Sequence, residues 1–417
     1  MKFVCLLNFI SVLCTTINSQ KTFLDSSQNI RLLQTTKLLR EDIFEKTGKT
    51  ERVRQTAREK HIVQDRVPEY VPFPCDVKAG KSSRVPTSVH KLKPGDIDIV
   101  AAMGDSLIAG FGALSTNLYH LSVEYRGVSY LGGGEGSWRE YLTIPNILKE
   151  FNPELIGYAK SDSFAFEEKS EFNLGTTGAT SSDLPLMAER LVERIKTDSR
   201  VDVEKHWKFI SIMIGANDFC SDICYLPDAW LTLSNHKSYL TTALRILRDN
   251  LPRTFVSISP PPHIKDLYTV TGRRPRCPII LSFACPCIFG RKWNSQRSEF
   301  FDIMTKFQLL EGEIANHPEF QRKDFAVVVQ PFTINLKFPT KEDGKSDLSY
   351  LAADCLHVTQ KGYARAANSI WNTLFEPVGQ KTTGWIEPFE KFNCPTSKRP
   401  FFATLQNSQD DREGYFF

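Results

Sequence analysis

Ile97-Asp98-Ile99-Val100-Ala101-Ala102-Met103-Gly104-Asp105-Ser106-Leu107 is the stretch that decides the fold. Its first seven residues form an almost unbroken apolar run, which reads as a strand buried on both faces. The run stops at Gly104-Asp105-Ser106-Leu107, so a serine stands at the C-terminal end of a central strand. Open α/β sheets assemble their sites at that end, and a nucleophile held there meets the loops that receive substrate. Asp105 reads as a structural residue bonding backbone in the turn.

Further apolar runs follow at 154–159, 207–214, 254–259 and 324–330. Amphipathic patterns lie between them. Leu184, Met187, Leu191 and Ile195 recur at spacings of three and four within 183–197, and Tyr363, Ala367, Ile370 and Leu374 do so within 360–375. Such spacing puts each set on one helical face. Asp183 and Thr359 stand where N-caps are expected. Apolar strands alternating with helices predict an α/β architecture of three layers (α/β/α) with a central parallel sheet. Two long insertions, 113–137 and 260–292, read as lids or binding walls.

Four blocks carry chemistry. After Gly104-Asp105-Ser106-Leu107 come Asn173-Leu-Gly-Thr-Thr-Gly178-Ala-Thr, Gly215-Ala-Asn217-Asp218 and Asp354-Cys-Leu-His357. All fall at strand ends or just beyond. Ester hydrolysis needs a nucleophile, a base, a group orienting the base and donors for the oxyanion. Ser106 fits the first role and His357 the second. Asp354, three residues before the histidine, can reach back to the imidazole. The N–H groups of Ser106 and Gly178 and the amide of Asn217 can form an oxyanion hole. Asp218 is a second acidic candidate. His206, His236, His263 and His317 read as surface or loop histidines, with no partner motif.

These residues and their order resemble the GDSL, or SGNH, hydrolases, and among them the phospholipase B-like lipases. Supporting stretches are Glu124-Tyr-Arg-Gly127, Pro145-Asn-Ile-Leu-Lys-Glu-Phe-Asn-Pro153 and Leu374-Phe-Glu-Pro-Val-Gly-Gln-Lys381. The resemblance covers about residues 70–395. It implies a flavodoxin-like SGNH fold and a cofactor-independent serine esterase. The implied substrates are glycerophospholipids and lysophospholipids, cleaved through an acyl-serine. It assigns catalysis to Ser106, Gly178, Asn217 and His357, with Asp354 orienting His357; phospholipase B-like proteins are commonly assigned an acid in the block holding Asp218. An esterase for neutral lipids or acetylated sugars, or an inactive secreted lipid-binding protein, are the alternatives.

The compartment follows from the remaining pattern. Residues 1–20, with Lys2 as their lone charge ahead of an apolar run, read as a secretory signal. Residues 21–74 read as an N-terminal extension with a helical flavour around Ile30 to Lys46, either a pro-segment or a wrap around the core. Val67 to Pro74 break regular structure. The hydrolase domain is expected over 75–395 and a polar tail over 396–417. No later run approaches the roughly 20 apolar residues of a membrane span, so no transmembrane anchor is expected.

Removing 1–20 leaves eight of the ten cysteines, an even number that predicts disulfides in an exported, extracellular protein. Cys220 and Cys224 are close enough in sequence to pair locally, and Cys285-Pro-Cys287 is compact. No metal motif and no cofactor fingerprint appear. The 417 residues carry a net charge of only +4, and no basic cluster interleaved with aromatics stands out, so nucleic acid is not an expected partner. An acyl-ester substrate and a lipid interface are. Gly132 to Gly136 read as a flexible loop. The apolar run 278–289 reads either as a contact for acyl chains or as core stapled by disulfides.

Overall fold

The structure, a computed structural model, describes residues 51–413, with side chains through residue 409. Four strands form one sheet in the order β1 (Ile99–Gly104), β2 (Lys208–Met213), β3 (Thr254–Ile258) and β4 (Phe325–Val329), and every adjacent pair is parallel. All but the last residue of β4 are buried. Four of the five apolar runs therefore hold strands covered on both faces, as continuous hydrophobicity requires.

The run at 154–159 is not a fifth strand. It bridges β1 at Ile156, and the chain bridges β1 again at Asn173. Val100 N–H donates to Ile156 O at 2.9 Å, and Ala102 N–H donates to Phe172 O at 3.0 Å. Two short segments thus share the edge of β1. The break falls at Gly157, whose φ of 95° lies outside the extended region and ends the ladder.

The helices that matter for the site are α1 (Glu51–Glu59), α2 (Ser106–Ala109), α3 (Ile144–Phe151), α4 (Leu184–Thr197), α5 (Leu231–Asn250), α6 (Ile264–Tyr268), α7 (Cys277–Ala284), α8 (Pro286–Phe289), α9 (Arg297–Ala315) and α10 (Gln360–Leu374). The two expected caps are differently employed. Asp183 accepts from Thr180 N–H at 2.8 Å within the turn before α4. Thr359 donates its hydroxyl to Ser349 O at 2.8 Å rather than capping α10. At the other end of α10, Lys381 donates to Glu376 O at 2.9 Å and to Thr373 O, adding a cation to the helix C-terminus. Burial pushes that ammonium down to about 7.

Residues 51–74 lie against the rest of the described chain. Arg54 of α1 pairs with Glu135 at 2.6 Å and Asp162 at 3.4 Å. Gln64 accepts from Leu142 N–H at 2.6 Å, and its own N–H donates to Gln360 Oε1 at 2.8 Å. The readings for residues 1–20 and for Ile30 to Lys46 lie outside the described residues. Gly132 to Gly134 are buried rather than flexible. Gly133 N–H donates to Ser129 O at 2.8 Å and Gly134 N–H to Ala159 O at 2.9 Å.

Four disulfides join Cys75–Cys394, Cys220–Cys285, Cys224–Cys287 and Cys277–Cys355. Cys220 and Cys224 do not pair with each other. They lie on consecutive helical turns, Asp218–Asp222 and Ile223–Tyr225. Residues one helical turn apart hold their Cβ atoms about 5–6 Å from each other, beyond disulfide reach. Both instead face the short α8 segment.

Candidate active site

Ser106 is the first residue of α2, directly after β1. Asp105 caps that helix by accepting from Leu107 N–H at 2.9 Å. Burial pushes the Asp105 carboxyl up to about 6, against its hydrogen bond from Leu107 and the attraction of His357. Ser106 Oγ lies 2.7 Å from His357 Nε2, across 251 residues of sequence. His357 Nδ1 lies 2.5 Å from Asp354 Oδ2. Asp354 Oδ1 accepts from the backbone of Leu356 at 3.1 Å and of His357 at 3.0 Å. The acid is thereby locked to the loop it orients.

That loop is held from two sides. Ala352 N–H donates to His357 O at 2.8 Å. Cys355, between the acid and the histidine, takes a left-handed conformation with φ of 64° and is bonded to Cys277. A side chain other than glycine stays in that region only where its surroundings hold it.

The electrostatics separate charge along the row. Burial pushes the Asp354 carboxyl up, but the attraction of His357 and its hydrogen bonds outweigh that and hold it below the usual range. Burial likewise pushes the His357 imidazolium down, and the nearby Asp354 carboxylate more than reverses it. An ionised acid beside a basic imidazole is the state a general base requires.

Asn217 lines the same cavity as Ser106 and His357, and the block holding Gly178 is bonded to it. Gly178 has φ of 86°, a conformation glycine adopts without penalty. Asn217 Nδ2 donates to Ala179 O at 2.8 Å, tying the two blocks together, and an amide nitrogen carries a second hydrogen to give. Among the described residues the N–H groups of Ser106 and Gly178 meet no protein acceptor.

Asp218 is not the partner of His357. Its Oδ2 accepts from Ser181 N–H at 2.9 Å, and it is buried. Behind it lies a second constellation. Ser181 Oγ is 2.8 Å from His236 Nδ1, and His236 Nε2 is 3.3 Å from Glu311 Oε1. His236 is fully buried on α5 with Phe307 of α9 stacked on it at 3.8 Å, so it is no surface histidine. Burial pushes its imidazolium down to about 3. Burial also pushes the Asp218 carboxyl up to about 7. Glu311 is raised well above its ordinary range by burial and by repulsion from Asp218.

The sequence reading missed His236, Ser181 and Glu311 because they are 55 and 75 residues apart and share no local pattern. Ser181 alone carried a signal, three positions after Gly178.

The insertion at 113–137 is a brace rather than a lid. Arg126, fully buried, donates to Glu124 at 2.6 Å and to Asn173 Oδ1 at 2.9 Å. Glu124 in turn accepts from Thr177 Oγ1 at 2.7 Å, one residue before Gly178. Of the other histidines, His263 lines a cavity beside Ser106, and its Nε2 donates to Phe301 O at 3.1 Å and lies 3.3 Å from Thr305 Oγ1.

This cavity of about 110 Å³ contains Ser106, His357 and Asn217 and is walled mainly by apolar groups, among them Ile264, Leu267, Leu336 and Leu356. The insertion at 260–292 supplies one wall. A larger cleft of about 530 Å³, lined by Lys60, Arg274 and Lys341, touches Ala352 and Cys355 but neither Ser106 nor His357.

A parallel sheet with a serine directly after its first strand, in contact with a histidine and acid from the loop before the last long helix, is the arrangement of a serine hydrolase. The GDSL-like lipase/acylhydrolase model matches residues 100–370, and the chain belongs to that family. It is an ester hydrolase of the lipase class on the three-layer α/β/α SGNH fold.

Among curated relatives, the membrane-associated phospholipase B1 of Homo sapiens is 37% identical over 332 residues, 79% of this chain and 22% of the relative. That of Mus musculus is 35% identical over 340 residues, 81% of this chain and 23% of the relative. The chain therefore spans less than a quarter of these relatives' length. The crystal structure of phospholipase A1 from Streptomyces albidoflavus NA297 aligns at 15% identity and a TM-score of 0.31, covering 64% of this chain and 95% of that one. Among the described residues no helix is long and apolar enough to cross a membrane.

Proposed function

We propose that the chain is a secreted phospholipase B-type esterase, releasing fatty acid from glycerophospholipids and lysophospholipids. Ser106 Oγ attacks the ester carbonyl while His357 Nε2 takes its proton. Asp354 holds Nδ1–H and stabilises the imidazolium that forms. The N–H groups of Ser106 and Gly178, with the second hydrogen of Asn217 Nδ2, receive the oxyanion. Collapse expels the alcohol, which takes the proton from His357, and leaves acyl-Ser106. A water deprotonated by His357 then attacks the acyl-serine carbonyl, and Ser106 leaves reprotonated.

The observation that carries this reading is the 2.7 Å contact between Ser106 Oγ and His357 Nε2 beside an apolar cavity. A polar acetylated sugar finds few partners on walls of Ile264, Leu267 and Leu336, whereas an acyl chain is accommodated by dispersion and desolvation. The likeness to phospholipase B1 supports a phospholipid ester. Four disulfides fit an oxidising compartment.

Lipid-product analysis of the wild type and Ser106→Ala in parallel tests the reading. Fatty acid should be released from phosphatidylcholine and lysophosphatidylcholine by the wild type alone. Activity confined to acetyl sugars, or undiminished in the variant, would overturn it.

A further inference from the structure

We infer that the face presented by α7 is a docking surface for an anionic lipid membrane, continuous with the wall of the Ser106 cavity. This rests on the lipid-ester reading above and names the surface that brings the site to its substrate.

The helix carries its apolar residues the wrong way for core alone. Leu281 and Cys277 face inward, but Ile279 is 65% exposed and Phe283 83% exposed. These two are four residues apart, hence on one helical face. An exposed aromatic and aliphatic pair on one face is what an interfacial helix inserts among headgroups. The run 278–289 is thus neither all core nor all acyl-chain contact: its cysteines anchor it and its outer face stays open.

Basic residues flank that helix along the chain. Residues 267–298 contain six arginines and lysines and no aspartate or glutamate. They are Arg273, Arg274, Arg276, Arg291, Lys292 and Arg297, spread over the loops flanking α7 and α8. Arg273, Arg274 and Arg276 directly precede α7, and Arg291, Lys292 and Arg297 follow α8, with Asp266 and Glu299 bounding the stretch. Arg273 lies over the Phe289 ring at 5.7 Å, Lys292 over Trp293 at 4.4 Å and Arg297 over Tyr268 at 4.8 Å. Aromatic rings beside cations suit the headgroup region, and polybasic segments bind leaflets rich in anionic lipid.

The surface is also mechanically joined to the chemistry. Cys277 of α7 is bonded to Cys355, between Asp354 and His357. Leu356 packs against the Cys277, Leu281 and Cys355 cluster and lines the Ser106 cavity. Helix α6 lines the cavity with Ile264 and Leu267 and ends at Tyr268, which is 45% exposed. Docking through this face would set the cavity against the bilayer.

The test uses vesicles of ether-linked, non-hydrolysable phosphatidylcholine, with or without ether-linked phosphatidylglycerol, and reads binding by sedimentation. A water-soluble short-chain ester reports the active site separately. The wild type should bind the anionic vesicles roughly tenfold or more above the zwitterionic ones, and added salt should abolish the difference. Ile279→Ser/Phe283→Ser should weaken vesicle binding by roughly a hundredfold, with soluble-ester turnover unchanged. Arg274→Gln/Arg276→Gln should reduce the anionic preference, and Phe283→Trp should bind at least as well as the wild type.

Equal binding by the wild type and the Ile279/Phe283 variant would overturn the proposal. So would self-association of the wild type that the same variant abolishes, since a second copy would then own the face. A chain that docks on ether lipids but hydrolyses no ester lipid would instead defeat the functional reading and leave this surface standing.

Discussion

Among the described residues two rows of serine, histidine and acid contrast in their surroundings, and the contrast supports the first as the one that does chemistry. Ser106 and His357 border a cavity, with Asp354 behind the imidazole; the acid is held below its usual range while the imidazole is made more basic. Ser181, His236 and Glu311 are fully buried, with an imidazolium pushed down to about 3 and a carboxyl raised well above its ordinary range. The first row separates charge where substrate can arrive. The second holds neutral groups in a low-dielectric interior, where an unpaired ion is costly. In the proposed mechanism the same three residue types therefore serve as a reactive row in one environment and as a structural clasp in the other.

The clasp has a position that matters. Ser181 N–H reaches Asp218, the residue after Asn217, and Ser181 itself follows Gly178 by three. It fastens the block holding Gly178 to the block holding Asn217, as the Asn217 bond to Ala179 also does. Glu124 and Arg126 hold the neighbouring Thr177.

The largest break in this contrast comes from the nucleophiles. Ser106→Ala should lower kcat for a phospholipid by at least about ten-thousandfold, whereas Ser181→Ala should lower it by no more than about tenfold. Steady-state kinetics on both proteins checks this. Next is the orienting acid: Asp354→Asn should cost about a thousandfold to ten-thousandfold in kcat, because the amide holds the wrong imidazole tautomer. Removing one oxyanion donor is smaller again. Asn217→Ala should lower kcat about a hundredfold to a thousandfold with KM little changed.

The pH dependence sharpens the comparison further. His357 must be neutral to act as base, and its raised pKa means that kcat/KM should climb with pH through a midpoint above the ordinary imidazole value of about 6.5. In Asp354→Asn the residual activity should show a lower midpoint, since burial alone pushes the imidazolium down.

The smallest expected effect concerns the clasp. A carboxyl raised in the folded state binds its proton more tightly there than in the unfolded chain. Stability is therefore lost as pH rises from the unfolded value through the folded one. Glu311 and Asp218 both act in this sense. Glu311→Gln, which mimics the protonated form, should flatten the decline in denaturation midpoint above about pH 4.5 and leave activity within about threefold. Strong destabilisation at neutral pH would show instead that Glu311 is charged and paired.

The sequence made the first row legible and hid the second. Strands announced themselves as apolar runs, and the residues of the first row stand at strand ends or in a four-residue block. His236, Ser181 and Glu311 meet only after α5 and α9 pack, and no periodicity marks a buried histidine as different from a loop one. Disulfide partners were likewise beyond local spacing: Cys220 and Cys224 share a helical face, and their partners lie more than sixty residues on. The run at 154–159 had strand composition, but Gly157 decided its conformation.

The proposal that an adjoining cavity and charge make one row reactive and not the other is tested most directly by a serine-reactive fluorophosphonate. Applied to the folded wild type and followed by peptide mass mapping, it should label Ser106 stoichiometrically and leave Ser181 unmodified. A label on Ser181, or none on Ser106, would contradict the account.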